Sequence, residues 1–375
     1  MNIGCFSKAY PSQRLILSSD IPGVNFIRHY NFLGKFCSTL TSYPYRIAAD
    51  IPIGIDGYHT INDVLFTHKP WCASFETIMP RGGEILNVNH HQSFDLAREG
   101  GVELLLSRMA KDNCKKLIAL SVCNYELQKQ LYHLYPEFEK ILLDKTTVIS
   151  VPQKVLVNAP KEKCNKTLRF IFVGNDFNRK GGAEIVRAFA KLRKDRTDFE
   201  LILITRLEAN HNYAFKEWQD TESEIYEVNA VIENSKDWMH VYRNLTNTKT
   251  LELIKSSDVG LLPTWGDTYG YSVLEFQAAG IPVITTNIRA LPEINPNGWI
   301  INLPTNYAHE FGIRSAEHKA KLREGIINGI IKAVSEALEH KDVVLEKGYK
   351  GLLYIKEYHS YEQYSEQIGN IYNSF

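Results

Sequence analysis

The spacing of apolar and polar side chains resolves the second half of the chain into short unbroken apolar runs that alternate with stretches of helical period. Leu168-Arg-Phe-Ile-Phe-Val173 reads as a buried strand and Gly174 to Arg179 as a loop. From Lys180 onward a helix is expected, with Ile185, Val186, Phe189 and Leu192 on one face. Further strands are expected at Phe199 to Thr205, Asp258 to Pro263 and Pro282 to Thr286, with a helix from Gly270 to Ala279 before the last. Strands alternating with helices predict a parallel sheet covered on both faces. The first half is harder to parse, because its strands are short and aromatic. Lys116 to Ser121 reads as a strand ending in a helix cap, after which Leu127, Leu131 and Leu134 recur at helical spacing. Thr147 to Val151 is another strand, and Pro152 to Lys166, polar and rich in Lys, Asn and Pro, is the expected inter-domain linker. The tail from Ala316 to Phe375 reads as long helices broken near Lys341 to Gly348. In it Tyr354, Tyr358, Tyr361, Tyr364 and Ile368 fall at helical spacing, as a stripe that packs against a domain.

At 375 residues the chain exceeds what one hydrophobic core usually organises, so two domains are expected. Lys plus Arg and Asp plus Glu each total 43, so no broad basic field exists to hold a polyanion and a nucleic-acid partner is not expected. No apolar stretch approaches the ~20 residues that span a bilayer, and the first residues lack the pattern of a signal peptide, so a soluble, cytoplasmic chain is expected. The 6 cysteines are scattered without a Cys-x-x-Cys pair or a His at ligand spacing, which reads as reduced thiols rather than a zinc site.

The chemistry concentrates in Pro263-Thr-Trp-Gly-Asp267-Thr-Tyr-Gly270-Tyr271-Ser272-Val273-Leu-Glu275. Asp267 is expected in the loop leaving a strand. Gly270 lets the backbone turn closely into a helix whose first amides, at Tyr271, Ser272 and Val273, point at whatever lies beyond. Such an end favours anions, and open parallel sheets bind ligands at the carboxyl ends of their strands. A diphosphate fits there, with Glu275 one turn in to accept hydrogen bonds from two ribose hydroxyls. A second constellation, Gly174-Asn175-Asp-Phe-Asn-Arg179-Lys180-Gly181-Gly182, poises two cations where a loop turns into a helix. Such a pair can bind and stabilise an anionic group there. Upstream, His59 and Glu76 are expected to follow strands, with His90 and His91 as further polar candidates on the acceptor side.

The stretch from Asp267 to Glu275 resembles the Glu-x7-Glu signature of family 4 retaining glycosyltransferases, with its first carboxylate shortened to Asp. Asp258-Val-Gly-Leu-Leu-Pro263 and Ala279-Gly280-Ile-Pro-Val-Ile-Thr-Thr286 resemble the strands around that signature, and the Gly174 to Gly182 stretch resembles the family's phosphate-binding loop. Many members place Arg directly after that Gly. This chain has Asn175, so Arg179 is expected to supply the guanidinium. The first loop, Ser7-Lys-Ala-Tyr-Pro11, lacks the family's usual Gly-Gly pair.

The resemblance implies an α/β chain of GT-B type, with two Rossmann-like domains facing each other across a cleft and helices at the C-terminus. Its expected divisions are 1–155 for the acceptor, 165–345 for the sugar nucleotide, and 346–375 as a helix returning to the first domain. It implies transfer of a sugar from a UDP- or GDP-linked donor to a hydroxyl of a glycan, glycolipid or small glycoside, with retention of configuration. The implied catalytic residues are Lys180, Arg179, Asp267, Glu76 and His59, and Gly174, Gly270, Tyr271, Ser272, Val273 and Glu275 join the first three around the donor. No metal or other cofactor is expected, because the Asp-x-Asp motif of metal-dependent glycosyltransferases is missing. Peripheral contact with the cytoplasmic face of a membrane fits a glycolipid acceptor. The rival readings are a sugar-nucleotide epimerase with the same nucleotide grip, and a carbohydrate-binding relative that has lost turnover.

Overall fold

The structure, a computed structural model, describes residues 1–6, 10–17, 20–29, 31, 46–49, 53–81, 101–207 and 211–375. The chain divides into two compact units, 1–152 together with 359–375, and 153–358.

The first unit holds β1 (Asn2–Cys5), β2 (Asn25–Arg28), β3 (Ile47–Ala49), β4 (Gly57–Ile61), β5 (Val64–Phe66), β6 (Trp71–Phe75), β7 (Cys114–Ala119) and β8 (Thr146–Val148). Six of these form a parallel sheet in the order β2-β1-β4-β6-β7-β8, and β3 pairs with β5 apart from it. Residues of β4 and β6 are buried throughout, as expected of central strands covered on both faces. The helix Val122–His133 follows β7, and the Ser121 hydroxyl accepts from the Asn124 amide as its cap. The helix Tyr361–Tyr372 returns to this unit, where the Tyr364 hydroxyl donates to the Leu15 carbonyl at 2.7 Å.

The second unit holds β9 (Leu168–Val173), β10 (Phe199–Ile204), β11 (Met239–Tyr242), β12 (Val259–Leu262), β13 (Val283–Thr286) and β14 (Trp299–Ile301). They form one parallel sheet in the order β11-β10-β9-β12-β13-β14. This is the doubly wound order in which chain direction across the sheet reverses between the first strand, β9, and the fourth, β12. Phe170, Phe189, Phe199 and Trp238 stack edge to face beneath it, with successive centroids 5.2, 5.3 and 5.6 Å apart. The polar stretch after Pro152 packs on this unit: the Leu156 amide donates to the Ala278 carbonyl, and Lys161 and Asn165 both reach the buried Asp258 carboxylate.

Two expectations are corrected here. The segment Lys341–Gly348 is helical, since the tail breaks at His340 and again near Ser360, giving helices Ala316–Glu339, Lys341–Tyr358 and Tyr361–Tyr372. The tyrosine stripe is therefore split between two helices. Tyr354 donates to the Glu293 carbonyl in the second unit, whereas Tyr364 and Ile368 are buried in the first.

Candidate functional site

The carboxyl ends of β9 and β12 meet at the reversal point of the second sheet, and the loops leaving them are stitched together. The Arg179 carbonyl accepts from the Trp265 amide at 2.8 Å and from the Thr264 hydroxyl at 3.0 Å. The helix after β9 starts at Gly182, with Gly181 as its cap at φ 83°; a Cβ at Gly181 would come 2.1 Å from the Pro263 carbonyl oxygen. Only glycine lets the two loops approach so closely. Arg179 and Lys180 consequently lie in the turn ahead of the helix rather than inside it, which corrects the expected start at Lys180.

Lys180 runs back across Gly174, where a Cβ would meet its Cδ at 2.6 Å, and its Nζ stands 3.4 Å from Asp267 Oδ2. Arg179 Nε donates to Asp176 at 2.6 Å and its NH1 to the Gly266 carbonyl at 2.5 Å. Two cations thus converge on one buried carboxylate. Burial alone would raise the Asp267 pKa, but Lys180 and Arg179 hold it below the usual carboxylate value. Burial would likewise lower the Arg179 pKa, and the Asp267 and Asp176 carboxylates reverse that and raise it. Asp267 is therefore an anion at neutral pH.

The helix Tyr271–Ala278 begins at Gly270, held at φ 94° with no side-chain cap. Ser272 sits in its first turn, its hydroxyl oxygen buried without a hydrogen-bond partner. The Val273 amide donates to the Gly270 carbonyl at 2.9 Å, so it is taken up within the helix start, contrary to the expectation that it points outward. Glu275 lies one turn further on, half-buried. The structure thus gathers Gly174, Arg179, Lys180 and Asp267 at the end of β9 and β12, with Gly270, Tyr271, Ser272 and Glu275 on the turn and helix leaving β12.

Three neighbours had no sequence signal strong enough to single them out. Arg289, at φ 45° after β13, forms a buried ion pair with Glu310. Tyr213, after β10, lies with its ring centroid 5.6 Å from the Arg179 guanidinium. Tyr213 and Glu310 sit within electrostatic reach of Asp267 and Arg179, and Arg289 within reach of Tyr213 and Glu310. Arg289 falls beside the Leu291-Pro-Glu-Ile294 segment but is a lone charge in sequence, and Tyr213 and Glu310 lie in irregular connections, where no periodic template applies.

In the first unit, Glu76 follows β6 at the carboxyl edge of that sheet, nearly buried. Its carboxylate accepts from Arg81 at 3.2 Å and Asn62 at 3.3 Å, and its amide donates to the Asn62 side chain. His59 does not follow a strand as expected. It lies inside β4 with no exposed surface, its Nδ1 2.7 Å from the Tyr372 hydroxyl and its Nε2 2.8 Å from the Ser74 hydroxyl. Burial pushes its pKa down to about 3, so it is neutral and fully engaged in holding the last helix to the sheet. His90 and His91, and Ser7 to Ala9 of the first loop, lie outside the described residues. Among the described residues no group of three or more His, Cys, Asp and Glu is arranged to hold a metal ion, and no helix is long and apolar enough to cross a membrane.

Residues 167–312, which carry this whole second-unit cluster, match the family model of glycosyl transferases group 1. That match lies wholly within the second unit. A curated relative, the MMP alpha-(1->4)-mannosyltransferase of Mycolicibacterium hassiacum, is 30% identical over 127 residues; the match covers 34% of this chain and 28% of the relative's length. Among solved structures, HepE of Anabaena in complex with UDP-glucose superposes with a TM-score of 0.58 at 12% identity, covering 100% of both chains. The sucrose-phosphate synthase of Thermosynechococcus elongatus gives a TM-score of 0.58 at 14% identity, covering 100% of this chain and 98% of that one. The glycosyltransferase of Rickettsia africae gives 0.53 at 15%, covering 93% and 84%. These likenesses establish the fold over the whole chain as GT-B, with its two Rossmann-like parallel-sheet units and helical C-terminus.

Proposed function

We propose that the chain transfers a sugar from a nucleoside-diphosphate donor to a hydroxyl acceptor, with retention of anomeric configuration and without a metal ion. The observation that carries this reading is the convergence of Lys180 and Arg179 on Asp267 at the reversal point of a doubly wound sheet, beside the start of the helix Tyr271–Ala278. The two side chains supply the positive charge that a diphosphate requires, and Glu275 on that helix supplies a carboxylate for the ribose. Asp267 is then released from Lys180 to accept hydrogen bonds from the sugar.

As the anomeric carbon–oxygen bond breaks, the electron pair leaves with the β-phosphate oxygen, and Lys180 and Arg179 stabilise the new charge. The acceptor oxygen attacks the anomeric carbon on the face the diphosphate vacates, and its proton passes to the departing phosphate. Glu76 is proposed to contact the acceptor. The relative's mannosyl transfer and the UDP-glucose bound to HepE support UDP- or GDP-linked hexoses as the donors to try first.

The test is thermal-shift screening with UDP, GDP, ADP and their common sugar conjugates, followed by product analysis with a panel of sugar and glycolipid acceptors. Selective stabilisation by one nucleoside diphosphate is expected, because a ligand that binds only the native state raises its melting point by mass action. Transfer to an acceptor with α-configured product from an α-configured donor completes the reading. An inverted product overturns retention, and stabilisation by none of the nucleotides overturns the donor site.

A further inference from the structure

The segment 211–221 after β10 is fastened to the second unit by several independent ties. Gln219 clamps it from within, its Oε1 accepting from the Asn212 amide at 2.9 Å and its Nε2 donating to the Asn212 carbonyl at 2.9 Å. Phe215 packs edge-on against Trp265 with centroids 4.9 Å apart. Lys319 donates to the Trp218 carbonyl at 2.6 Å, pairs with Asp220 at 2.7 Å, and stands 4.3 Å over the Phe215 ring.

A loop held this firmly sets one aromatic side chain, Tyr213, over the Arg179 guanidinium at 5.6 Å. Gly266 makes the room for it, since a Cβ there would come 2.8 Å from the Tyr213 hydroxyl oxygen. Tyr213 keeps 40% of its surface exposed, so core packing is not what holds its ring in place. Enclosure of its hydroxyl end, together with the nearby Glu310 carboxylate, pushes the phenol pKa up, and the ring brings no charge to compete for the guanidinium.

We propose that Tyr213 is a positioning residue whose ring, together with the clamps from Asp176 and the Gly266 carbonyl, fixes the plane of the Arg179 guanidinium for the oxygens of a nucleoside diphosphate. A guanidinium held in one plane presents its donors in a fork that matches phosphate, and an aromatic face is a favourable support for it. This rests on the reading of Arg179 as a diphosphate ligand.

The experiment is calorimetric titration of UDP and GDP into the parent, Tyr213→Ala, Tyr213→Phe, Arg179→Ala and the Tyr213→Ala/Arg179→Ala double variant. For the better-binding nucleotide, Tyr213→Ala is expected to weaken binding about tenfold and Tyr213→Phe less than twofold, because phenylalanine keeps the ring face. In the Arg179→Ala background, Tyr213→Ala should add less than a twofold loss, as two residues acting through one contact are not additive. Gly266→Ala, which displaces the ring without removing it, should reproduce most of the Tyr213→Ala loss. Normal affinity in Tyr213→Ala, or a full additional loss in the double variant, overturns the positioning role while leaving Arg179 in place. If Arg179→Ala itself binds like the parent, or neither nucleotide binds the parent, the diphosphate reading has failed and the Tyr213 proposal falls with it.

Discussion

Replacing Lys180 by Met keeps the aliphatic stem that crosses Gly174 and removes only the ammonium facing Asp267. At 3.4 Å and an effective dielectric of about 20, that pair is worth ~5 kcal/mol of gross Coulomb energy. Desolvation of both groups takes back much of this, so a net loss of about 1–2 kcal/mol is expected in the folded protein at pH 7. The sign of its pH dependence follows from Asp267. In the parent, the pair holds the folded-state pKa below the unfolded 3.8, so its stabilisation is present above that value and lost as pH falls through the folded pKa. In Lys180→Met the burial contribution, which raises the pKa, is opposed only by Arg179 and the Tyr269 amide. The Asp267 pKa is therefore higher in the variant than in the parent, and the carboxylate contributes less stability at neutral pH. Melting temperatures of parent and variant should therefore differ most near pH 7 and converge only as pH falls below 3.8, through the folded pKa of the parent's Asp267. Equal melting points at pH 7 would refute the pair as a stabilising contact, and curves that stay parallel well below pH 3.8 would refute Asp267 as the group involved. In parallel, the variant's kcat for donor consumption should fall about a hundredfold with a far smaller change in donor KM, as loss of a preorganised charge stabiliser does. An unchanged kcat would remove Lys180 from the chemistry even if the stability result held.

Glu275→Ala should weaken nucleotide binding by about 1.5–3 kcal/mol through loss of charge-assisted ribose hydrogen bonds, with the melting curve nearly unchanged; unaltered affinity in calorimetry would reject the ribose assignment. Turnover should persist in excess EDTA, and activity lost there but restored by Mn²⁺ or Mg²⁺ would reject the metal-free proposal. His59 and His359 have folded-state pKa values lowered to about 3 and about 4, so each makes stability fall as pH drops below the unfolded 6.5. The slope approaches ~1.4 kcal/mol per pH unit for each such group. Urea unfolding of the parent and of His59→Gln between pH 7 and 4.5 should show the variant losing its share of that slope, and a parent whose stability is flat over this range contradicts it.

The second unit was legible because its strands are covered on both faces. Such strands need unbroken apolar runs, as at Leu168–Val173 and Phe199–Ile204, and glycines mark the turns where backbones crowd at the site. Expected and observed boundaries there differ by a residue or two. Strands β11 and β14, at the two edges of the sheet, escaped notice because Met239–Tyr242 is only partly buried and Trp299–Ile301 is three residues long. The first unit resisted for the same reason, with β2 half-exposed and β3 and β5 three residues each. At the site, Asp267 and Lys180 could be picked out because their neighbours follow a known spacing, whereas Tyr213, Arg289 and Glu310 reach it through tertiary contacts that leave no local pattern. His59 illustrates the converse failure. A histidine in an apolar run reads as chemistry waiting for a ligand, and only the Tyr372 hydroxyl, 313 residues away, shows it to be already satisfied.

The first unit is assembled from both extremes of the sequence, with the whole second unit inserted between Pro152 and His359. During synthesis the ribosome therefore delivers every residue of the second unit before it releases the helix that closes off the first. Until Tyr372 arrives, His59 has only Ser74 for company, and the surface beside Gly57, against which the Phe375 ring lies closely enough that a Cβ there would be 2.1 Å from it, stays open to water. The module made first is thus the last to be finished, and over the intervening interval its uncovered strands are what a chaperone or a neighbouring nascent chain would meet.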